Sequence, residues 1–295
     1  PADDLGDVAR RAPAETRAEP PLVSVCIGTH NRAEPLARAV ASIEAQSWPR
    51  IELIVADDAS TAPEARAFLD ALEPRLARRG GRLLRNATNL YNGGNRNRAV
   101  AEARGEFVLL MDDDNAAFPE EVESFVTAAL HSGADVLTCQ QQVFAGPGAP
   151  PEARMRRPVG FTPIGPNIPQ GVFENCLGDA NMFVRRDAYL GIGGTDTARA
   201  GFEDWEFLLR AALRGLKVEC LPVILFRYRV WDSGQILGFD HDALVRSHRR
   251  VLETALREVP EALRPALRLA AETRLHRMAD RGEGHWGRVG PVSTE

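Results

Sequence analysis

The stretch Phe107-Val108-Leu109-Leu110-Met111-Asp112-Asp113-Asp114-Asn115 decides the fold, because an apolar run leads directly into three carboxylates and an amide. A short apolar run is typical of a strand that is buried on both faces. In α/β folds, ligands bind at the carboxyl ends of such strands. Adjacent like charges repel unless a cation offsets them, and Mg²⁺ or Mn²⁺ with oxygen ligands does so while also binding a diphosphate. The alternative is an acidic turn that caps a helix.

Strands and helices alternate around this stretch. Apolar runs predict strands, and helical periodicity predicts helices. The expected strands are 22–28, 51–56, 82–85, 107–111, 134–139, 181–184, 217–221 and 223–230. The expected helices are 34–46, 62–79, 94–104, one with Val122, Phe125, Val126, Ala129 and Leu130 on one face, 203–214, and two more from 242 to about 279. This alternation predicts an α/β fold with a mostly parallel sheet. The Gly- and Pro-rich segment 143–175 predicts a long loop over the site.

Composition excludes several classes of protein. A net charge of -5 and a pI near 5.8 give no general attraction to nucleic acid. Four scattered cysteines show neither metal-binding spacing nor the density of a disulfide scaffold. No apolar stretch is as long as a bilayer span, so we expect a soluble, cytoplasmic protein that can still work at a membrane face. Since the chain begins at Pro1 with an Ala-, Arg-, Pro- and Glu-rich segment, residues 1–21 are expected to be a linker or tail of something longer.

Polar residues follow the first two predicted strands. The first ends in Gly28-Thr29-His30-Asn31-Arg32 and the second in Asp57-Asp58-Ala59-Ser60. The first turn is neither a P-loop nor a dinucleotide-binding fingerprint, which counts against ATP hydrolysis. A carboxylate of the second turn is a candidate for accepting a hydrogen bond from a base, and an N-cap for the next helix is the equal alternative.

Two further clusters lie at predicted helix starts. Asn92 and Arg96 belong to a Gly- and Arg-rich segment whose guanidinium and N–H groups suit a diphosphate. Glu203 and Asp204 are flanked by Phe202 and Trp205, and a carboxylate against apolar rings can have its pKa raised toward that of a general base. The alternative for the second cluster is an acidic first turn that the helix dipole favours.

The order of these motifs resembles that of the GT-A family 2 glycosyltransferases. The resemblance covers about residues 22–232 and rests on segments 23–32, 56–60, 96–97, 105–107, 112–114 and 202–204. Residues 111–115, with Pro119, also resemble the bacterial spore-coat polysaccharide-type members. The resemblance implies a Rossmann-like nucleotide-sugar-binding half at 22–140, an acceptor half at 141–239 and a helical extension over 240–295. It also implies an inverting transfer from a nucleotide-sugar, with UDP-sugars favoured and Mn²⁺ or Mg²⁺ bound by a D-x-D-type motif.

The resemblance assigns roles to particular residues. Thr29, Asn31 and Arg32 would lie by the nucleotide, Asp57 and Asp58 by the base, and Asn92 and Arg96 by the base or phosphate. Asp114 would be the direct metal ligand, and Asp112 and Asp113 would reach the metal or the ribose. Asp204 would be the catalytic base, with Glu203 assisting the acceptor or the structure. Asp179, Trp205 and Trp231 are candidates for contact with the acceptor. The alternatives are a turn position for Asp179 and packing in the core for the two tryptophans.

One departure from the family pattern concerns the metal. Many members have a His after the last core strand, where this chain has Trp231 and Asp232. His241 or His248 are candidate substitutes, and a surface or core histidine is the favoured alternative.

The acceptor is expected to be a carbohydrate, glycolipid, protein or small molecule, and the last helices are expected to contact another domain or form a homodimer. Competing hypotheses are a non-catalytic nucleotide-sugar-binding or scaffolding domain and a nucleotidyltransferase.

Overall fold

The computed structural model describes residues 19–146, 148–155, 161–199, 201–230 and 241–281. Eight strands in these residues form one sheet. The strands are β1 Val23–Thr29, β2 Ile51–Asp57, β3 Arg82–Arg85, β4 Phe107–Asp112, β5 Ala116–Ala117, β6 Val136–Ala145, β7 Phe183–Arg185 and β8 Val218–Val230. The helices are α1 Ala33–Glu44, α2 Pro63–Arg78, α3 Tyr91–Glu102, α4 Glu121–Ser132, α5 Ile168–Gly171, α6 Arg186–Gly191, α7 Glu203–Leu213, α8 His241–Glu258 and α9 Arg264–Arg281.

The sheet order β3-β2-β1-β4-β7-β6-β8-β5 brings the polar segments together. Strands β3, β2, β1 and β4 are parallel, and β7 joins them antiparallel to β4. In this register Thr29 lies beside Asp57, and Gly28 lies beside Asp112. The turns after β1, β2 and β4 therefore meet at one edge, as expected for the carboxyl ends of parallel strands. The predicted α/β class with a mostly parallel sheet is confirmed.

Two apolar layers cover the faces of the sheet. On one face, α1, α2 and α4 pack against residues such as Val25, Leu109 and Phe183. Phe183 stacks between Phe107 and Phe125, at ring-centroid distances of 4.9 and 5.3 Å. On the other face, α3 and α7 share a core with residues of the C-terminal helix α8. In the described residues, the last two helices therefore pack on the domain itself, and contact with another domain or a second copy stays a prediction.

Among the elements expected from the sequence, the largest differences from the structure are in three places. Strand β6 extends to Ala145 because it pairs with β8 along its length. The two strands expected at 217–221 and 223–230 are one strand, β8, with a register shift opposite Gln140. Pro222 lies at this irregularity, as expected for a residue that cannot donate to the ladder. Helix α3 begins at Tyr91 instead of 94, since Asp58 accepts hydrogen bonds from the N–H groups of Leu90 and Tyr91.

Candidate active site

The acidic turn after β4 is held by residues of the first loop. Thr29 Oγ1 donates to Asp113 Oδ2 at 2.7 Å, and Arg32 Nη1 donates to Asp113 Oδ1 at 3.1 Å and to Asp114 Oδ2 at 2.8 Å. Asp113 is buried, and this burial raises its pKa to about 7 despite the opposing charge of Arg32. The structure thus brings together four residues that the sequence analysis placed by the nucleotide or the metal.

Arg96 joins the acidic turn to the Glu203–Asp204 segment. Its guanidinium donates from Nη2 to Asp112 Oδ1 at 2.6 Å and from Nη1 to Glu203 Oε1 at 2.9 Å. The residue is only 6% exposed. Asp112 ends β4 and Glu203 begins α7, so one buried cation fixes the distance between the two acidic groups.

Asp204 lies in the first turn of α7, in surroundings that raise the pKa of its carboxyl group. Burial, and then the neighbouring Glu203 charge, raise the pKa of Asp204 to about 6, against the opposing effect of Arg96. Asp204 Oδ1 accepts the N–H of Trp205 at 2.8 Å. A carboxylate with this pKa is ionised at neutral pH yet binds a proton more readily than an ordinary aspartate, which suits a general base.

The backbone just before this pair is in an unusual conformation. Phe202 precedes α7 with φ 58° and ψ 25°, in the left-handed region. A bulky residue rarely adopts this conformation, which costs on the order of 1–3 kcal/mol and persists only where the surroundings impose it. The turn that presents Glu203 and Asp204 is therefore a strained one.

Asp179 and Tyr228 lie in the electrostatic field of the same acids. Burial raises the pKa of Asp179 well above its ordinary value, and the charges of Asp204 and Asp112 add to this effect. Burial likewise raises the pKa of Tyr228, with further contributions from Asp179 and Asp112. Asp179 Oδ1 also accepts the N–H of Asn181 at 3.0 Å, so it is a turn residue as well as a neighbour of the site.

The first and second loops hold each other through polar contacts. Asn31 Oδ1 accepts the N–H groups of Thr61 and Ala62, at the start of α2, and Asn31 N–H donates to Ser60. Asp57 Oδ1 accepts the N–H of Ser60 at 3.0 Å. Asn31 and Asp57 therefore shape the loops, and direct contact with a nucleotide stays a prediction for both.

Asp58 is buried and holds the start of α3. Its Oδ1 accepts from Asn86 Nδ2 and from Leu90 N–H, each at 2.7 Å, and its Oδ2 accepts from Tyr91 N–H at 2.8 Å. The helix-capping alternative is thus observed, although for the helix after β3 and not for α2. Because a carboxylate oxygen has two lone pairs, Oδ2 retains acceptor capacity, and the predicted contact with a base stays open.

Other candidates are placed differently from their predicted roles. Trp205 is 1% exposed and donates from Nε1 to Gly171 O at 2.6 Å, so its ring is in the core and does not offer a face to a sugar. His248 is 2% exposed and lies among aromatic rings, so it is a core histidine, as the alternative interpretation expected, and not a metal ligand. Asn92 is exposed in the first turn of α3. Trp231 lies outside the described residues.

The residues fit a divalent ion that is shared with a ligand. In the described ranges, no three His, Cys, Asp or Glu side chains form a group that could hold a metal by themselves. Mg²⁺ commonly binds through one or two carboxylates together with substrate phosphates, and carboxylates also suit Mn²⁺. Asp112 and Asp114, whose side chains are 35% and 13% exposed, provide such oxygens at the sheet edge.

Comparison with known proteins gives the family. A model described as "Glycosyl transferase family 2" matches residues 24–190, more than half of the chain. The chain belongs to this family. The family 2 match contains the acidic turn and Arg96 but ends before Glu203 and Asp204. The uncharacterized glycosyltransferase YwdF of Bacillus subtilis is 28% identical over 219 residues, which are 72% of this chain and 75% of YwdF. Three other curated relatives are matched over 32% to 48% of their own length.

Solved structures of two other proteins share the fold. Residues 1–349 of TarS from S. aureus, in complex with UDP-GlcNAc, match with a TM-score of 0.64 at 19% identity, over 86% of this family 2 chain and 72% of that one. The mannosyltransferase PcManGT from Pyrobaculum calidifontis, in complex with GDP-Man and Mn²⁺, matches with a TM-score of 0.60 at 16% identity, over 95% and 82% of the two chains. The prediction of a GT-A fold is confirmed.

Two residues near the site were not predicted by the sequence analysis. Tyr228 lies near the end of β8, and nothing in its sequence context indicates that it lies among the acids. Glu121 is fully buried at the start of α4 and accepts from Asn181 Nδ2 at 2.6 Å. A Glu after Pro119 resembles an ordinary acidic first turn, so its burial could be found only from the fold.

Among the described residues, no helix combines the length and the apolar character that a membrane crossing requires.

Proposed function

We propose that this chain is an inverting, metal-dependent glycosyltransferase that moves a sugar from a nucleotide-sugar, with a UDP-sugar favoured, to an acceptor hydroxyl. The observation that carries the proposal is the Arg96 bridge, which joins the acidic turn of Asp112 to the Glu203–Asp204 pair. A donor site and a general base must lie side by side for a single displacement, and this buried contact sets their separation.

The donor half of the proposal rests on the polar edge of the parallel strands. Thr29 and Arg32 hold Asp113 and Asp114 there, and Arg96 adds a second guanidinium. Guanidinium groups bind phosphate oxygens well, since they offer several donors in a fixed fork. UDP-GlcNAc and GDP-Man are bound by the two structural neighbours, which supports a nucleotide-sugar donor.

The chemical step assigned to this chain's own residues is a proton transfer at Asp204. The ionised carboxylate takes the proton from the acceptor hydroxyl as that oxygen attacks the anomeric carbon from the side opposite the diphosphate, which inverts the configuration. A single base suffices, unlike hydrolysis by paired carboxylates. Arg96 pairs with Glu203 and so offsets part of the negative charge that the Asp204 carboxylate faces.

Asp114 and Asp112 are the residues that would hold Mn²⁺ or Mg²⁺. A bound divalent ion supplies charge stabilisation for the departing diphosphate. Mn²⁺ in the structure of PcManGT supports a metal requirement. Arg32 already offsets part of the carboxylate charge, because it pairs with both Asp113 and Asp114.

The acceptor side is assigned to the surface near Asp179 and Tyr228. The charge of Asp204 contributes to the raised pKa of both residues, which supports this assignment. We favour a carbohydrate acceptor in polysaccharide or glycoconjugate synthesis, since the motifs resemble the spore-coat polysaccharide-type enzymes. Work at the cytoplasmic face of a membrane is compatible with this assignment, as is association with further domains or a second copy through α8 and α9.

The test is calorimetric titration of UDP and of GDP, each with and without Mn²⁺. We expect one nucleotide to bind in a Mn²⁺-dependent manner and Asp114→Ala to abolish that binding. Asp70→Ala is the control, because the Asp70 side chain is 70% exposed and forms a surface ion pair with Arg85. Binding of neither nucleotide would overturn the assignment of the donor site for these nucleotides. Binding without turnover of the matching nucleotide-sugar would instead favour a non-catalytic binding domain.

A further inference from the structure

The strained turn before α7 is enclosed by a residue of the C-terminal helix. The His248 ring on α8 lies 5.0 Å from the Phe202 ring and 5.2 Å from the Trp205 ring, with interplanar angles of 88° and 87°. Phe202 and Trp205 also contact each other at 5.5 Å. The three rings thus form a closed cluster with edge-to-face contacts, a favoured geometry for aromatic pairs. We call Phe202, Trp205 and His248 the aromatic triad.

Two members of the aromatic triad flank the Glu203–Asp204 pair in the chain. Phe202 is the left-handed residue immediately before Glu203, and Trp205 is the residue immediately after Asp204. The backbone N–H of Trp205 also donates to Asp204 Oδ1. A shift of the backbone at Phe202 or Trp205 would therefore change where the two carboxylates point. Because a left-handed Phe persists only where its surroundings impose it, the contact from His248 is one constraint on this turn.

Helix α8 is fixed to α7 by polar contacts apart from the aromatic triad. Thr254 Oγ1 donates to Glu206 Oε1 at 3.1 Å, and Glu206 is itself paired with Arg210 at 2.8 Å. One turn further along, Arg214 pairs with Glu258 at 2.6 Å. These contacts hold α8 in place along α7, so the position of His248 is set by the helix as a whole.

We propose that His248 is a positioning residue, which acts through Phe202 and Trp205 to hold Asp204 in the orientation needed for proton transfer. This inference rests on the proposed function and adds a requirement to it, namely that the C-terminal helix α8, outside the matched segment 24–190, completes the active site. His248 contacts the two rings that flank the acids, so we expect its effect to be on the rate of the chemical step and not on donor binding.

A purely structural role for His248 makes a different prediction. Burial of His248 stabilises the fold in the same way as burial of any core residue of α8, such as Val251, which is 1% exposed. In that case His248→Ala and Val251→Ala would change stability and activity together. Positioning requires that His248→Ala reduces catalysis more than its effect on stability explains.

The first experiment compares His248→Ala, His248→Phe and Val251→Ala with the unaltered chain. The melting temperature is measured for each protein, as are UDP and GDP affinity with Mn²⁺ and kcat for hydrolysis or transfer from UDP-GlcNAc and GDP-Man. We expect His248→Ala to lower kcat about 10- to 100-fold, the effect of a misplacement of about 1 Å, with nucleotide affinity within about twofold of the unaltered chain. His248→Phe restores part of kcat, because it retains a ring, and Val251→Ala leaves kcat unchanged.

The second experiment does not depend on turnover. Amide hydrogen exchange of segment 201–209 is compared in the same proteins, after correction for global stability from the melting data. Faster exchange in His248→Ala than in Val251→Ala supports positioning, even where the unaltered chain transfers neither sugar and the proposed function fails for these donors. Equal exchange in the two variants, or equal loss of kcat, overturns the inference.

Discussion

Replacement of Arg96 by Met tests the bridge that holds the two acidic groups together. Met keeps an unbranched side chain but removes both ion pairs, to Asp112 at 2.6 Å and to Glu203 at 2.9 Å. Removing one partner of a buried ion pair costs about 3–5 kcal/mol, since the remaining charge is left without compensation. The Glu203 side chain is 10% exposed and remains poorly hydrated, whereas that of Asp112 is 35% exposed and regains water. We therefore expect a loss near the lower end, about 3 kcal/mol.

Urea denaturation followed by circular dichroism at pH 7 measures this loss. The matched control is Arg85→Met, because Arg85 is a partly exposed arginine that pairs with the exposed Asp70 and Glu73. Exposed pairs contribute about 0–1 kcal/mol, so the control should lose little. Adding Glu203→Gln to the Arg96→Met background should restore part of the stability, since it removes the uncompensated charge. The reasoning is refuted if Arg96→Met and Arg85→Met lose equal stability, or if the added Glu203→Gln destabilises the protein further.

Three further predictions concern other parts of the molecule. Since the pKa of Asp204 is raised to about 6 and the base must be ionised, kcat/KM should fall about tenfold per pH unit below pH 6. Asp204→Asn should lower kcat about 10²- to 10⁴-fold, while the donor affinity measured by calorimetry persists. Burial raises the pKa of Glu121 from 4.5 to about 8, so the stability that this group contributes is present at low pH and is lost as pH rises. In urea titrations between pH 5 and 8, the free energy of unfolding of Glu121→Gln should therefore rise relative to that of the unaltered chain by roughly 1.4 kcal/mol per pH unit. A difference that stays constant with pH contradicts this prediction. A Cβ at Gly93 would lie 1.9 Å from Asp196 O, so Gly93→Ala should lower the melting temperature, whereas Gly191→Ala, with open space around it, should not.

The sequence predicted the elements whose pattern is local. The apolar run before Asp112 and the helical periodicity of 203–214 correspond closely to β4 and α7. Side chains that meet only in three dimensions were harder to place. The Arg96–Glu203 bridge joins residues 107 positions apart, and no spacing rule connects them.

The sequence could not decide between alternatives that differ only in burial. The sequence around Trp205 does not distinguish a buried tryptophan from an exposed one, and only the packing in the structure shows that its ring is enclosed. The start of α3 was misplaced because its cap, Asp58, comes from a different loop. Asp58 accepts from the backbone N–H groups of Leu90 and Tyr91 and from the side-chain amide of Asn86, and its contact with a base stays a prediction.

The ion pairs of Arg32 and Arg96 have a consequence for handling the protein. Their guanidinium groups offset the carboxylates of the acidic turn from within the fold, so the turn is stable without an added cation. A small zinc domain, in contrast, unfolds when its ion is withdrawn. Dialysis against a chelator should therefore yield a folded apoprotein with an unchanged melting curve, ready for titration with one cation at a time and without any refolding step.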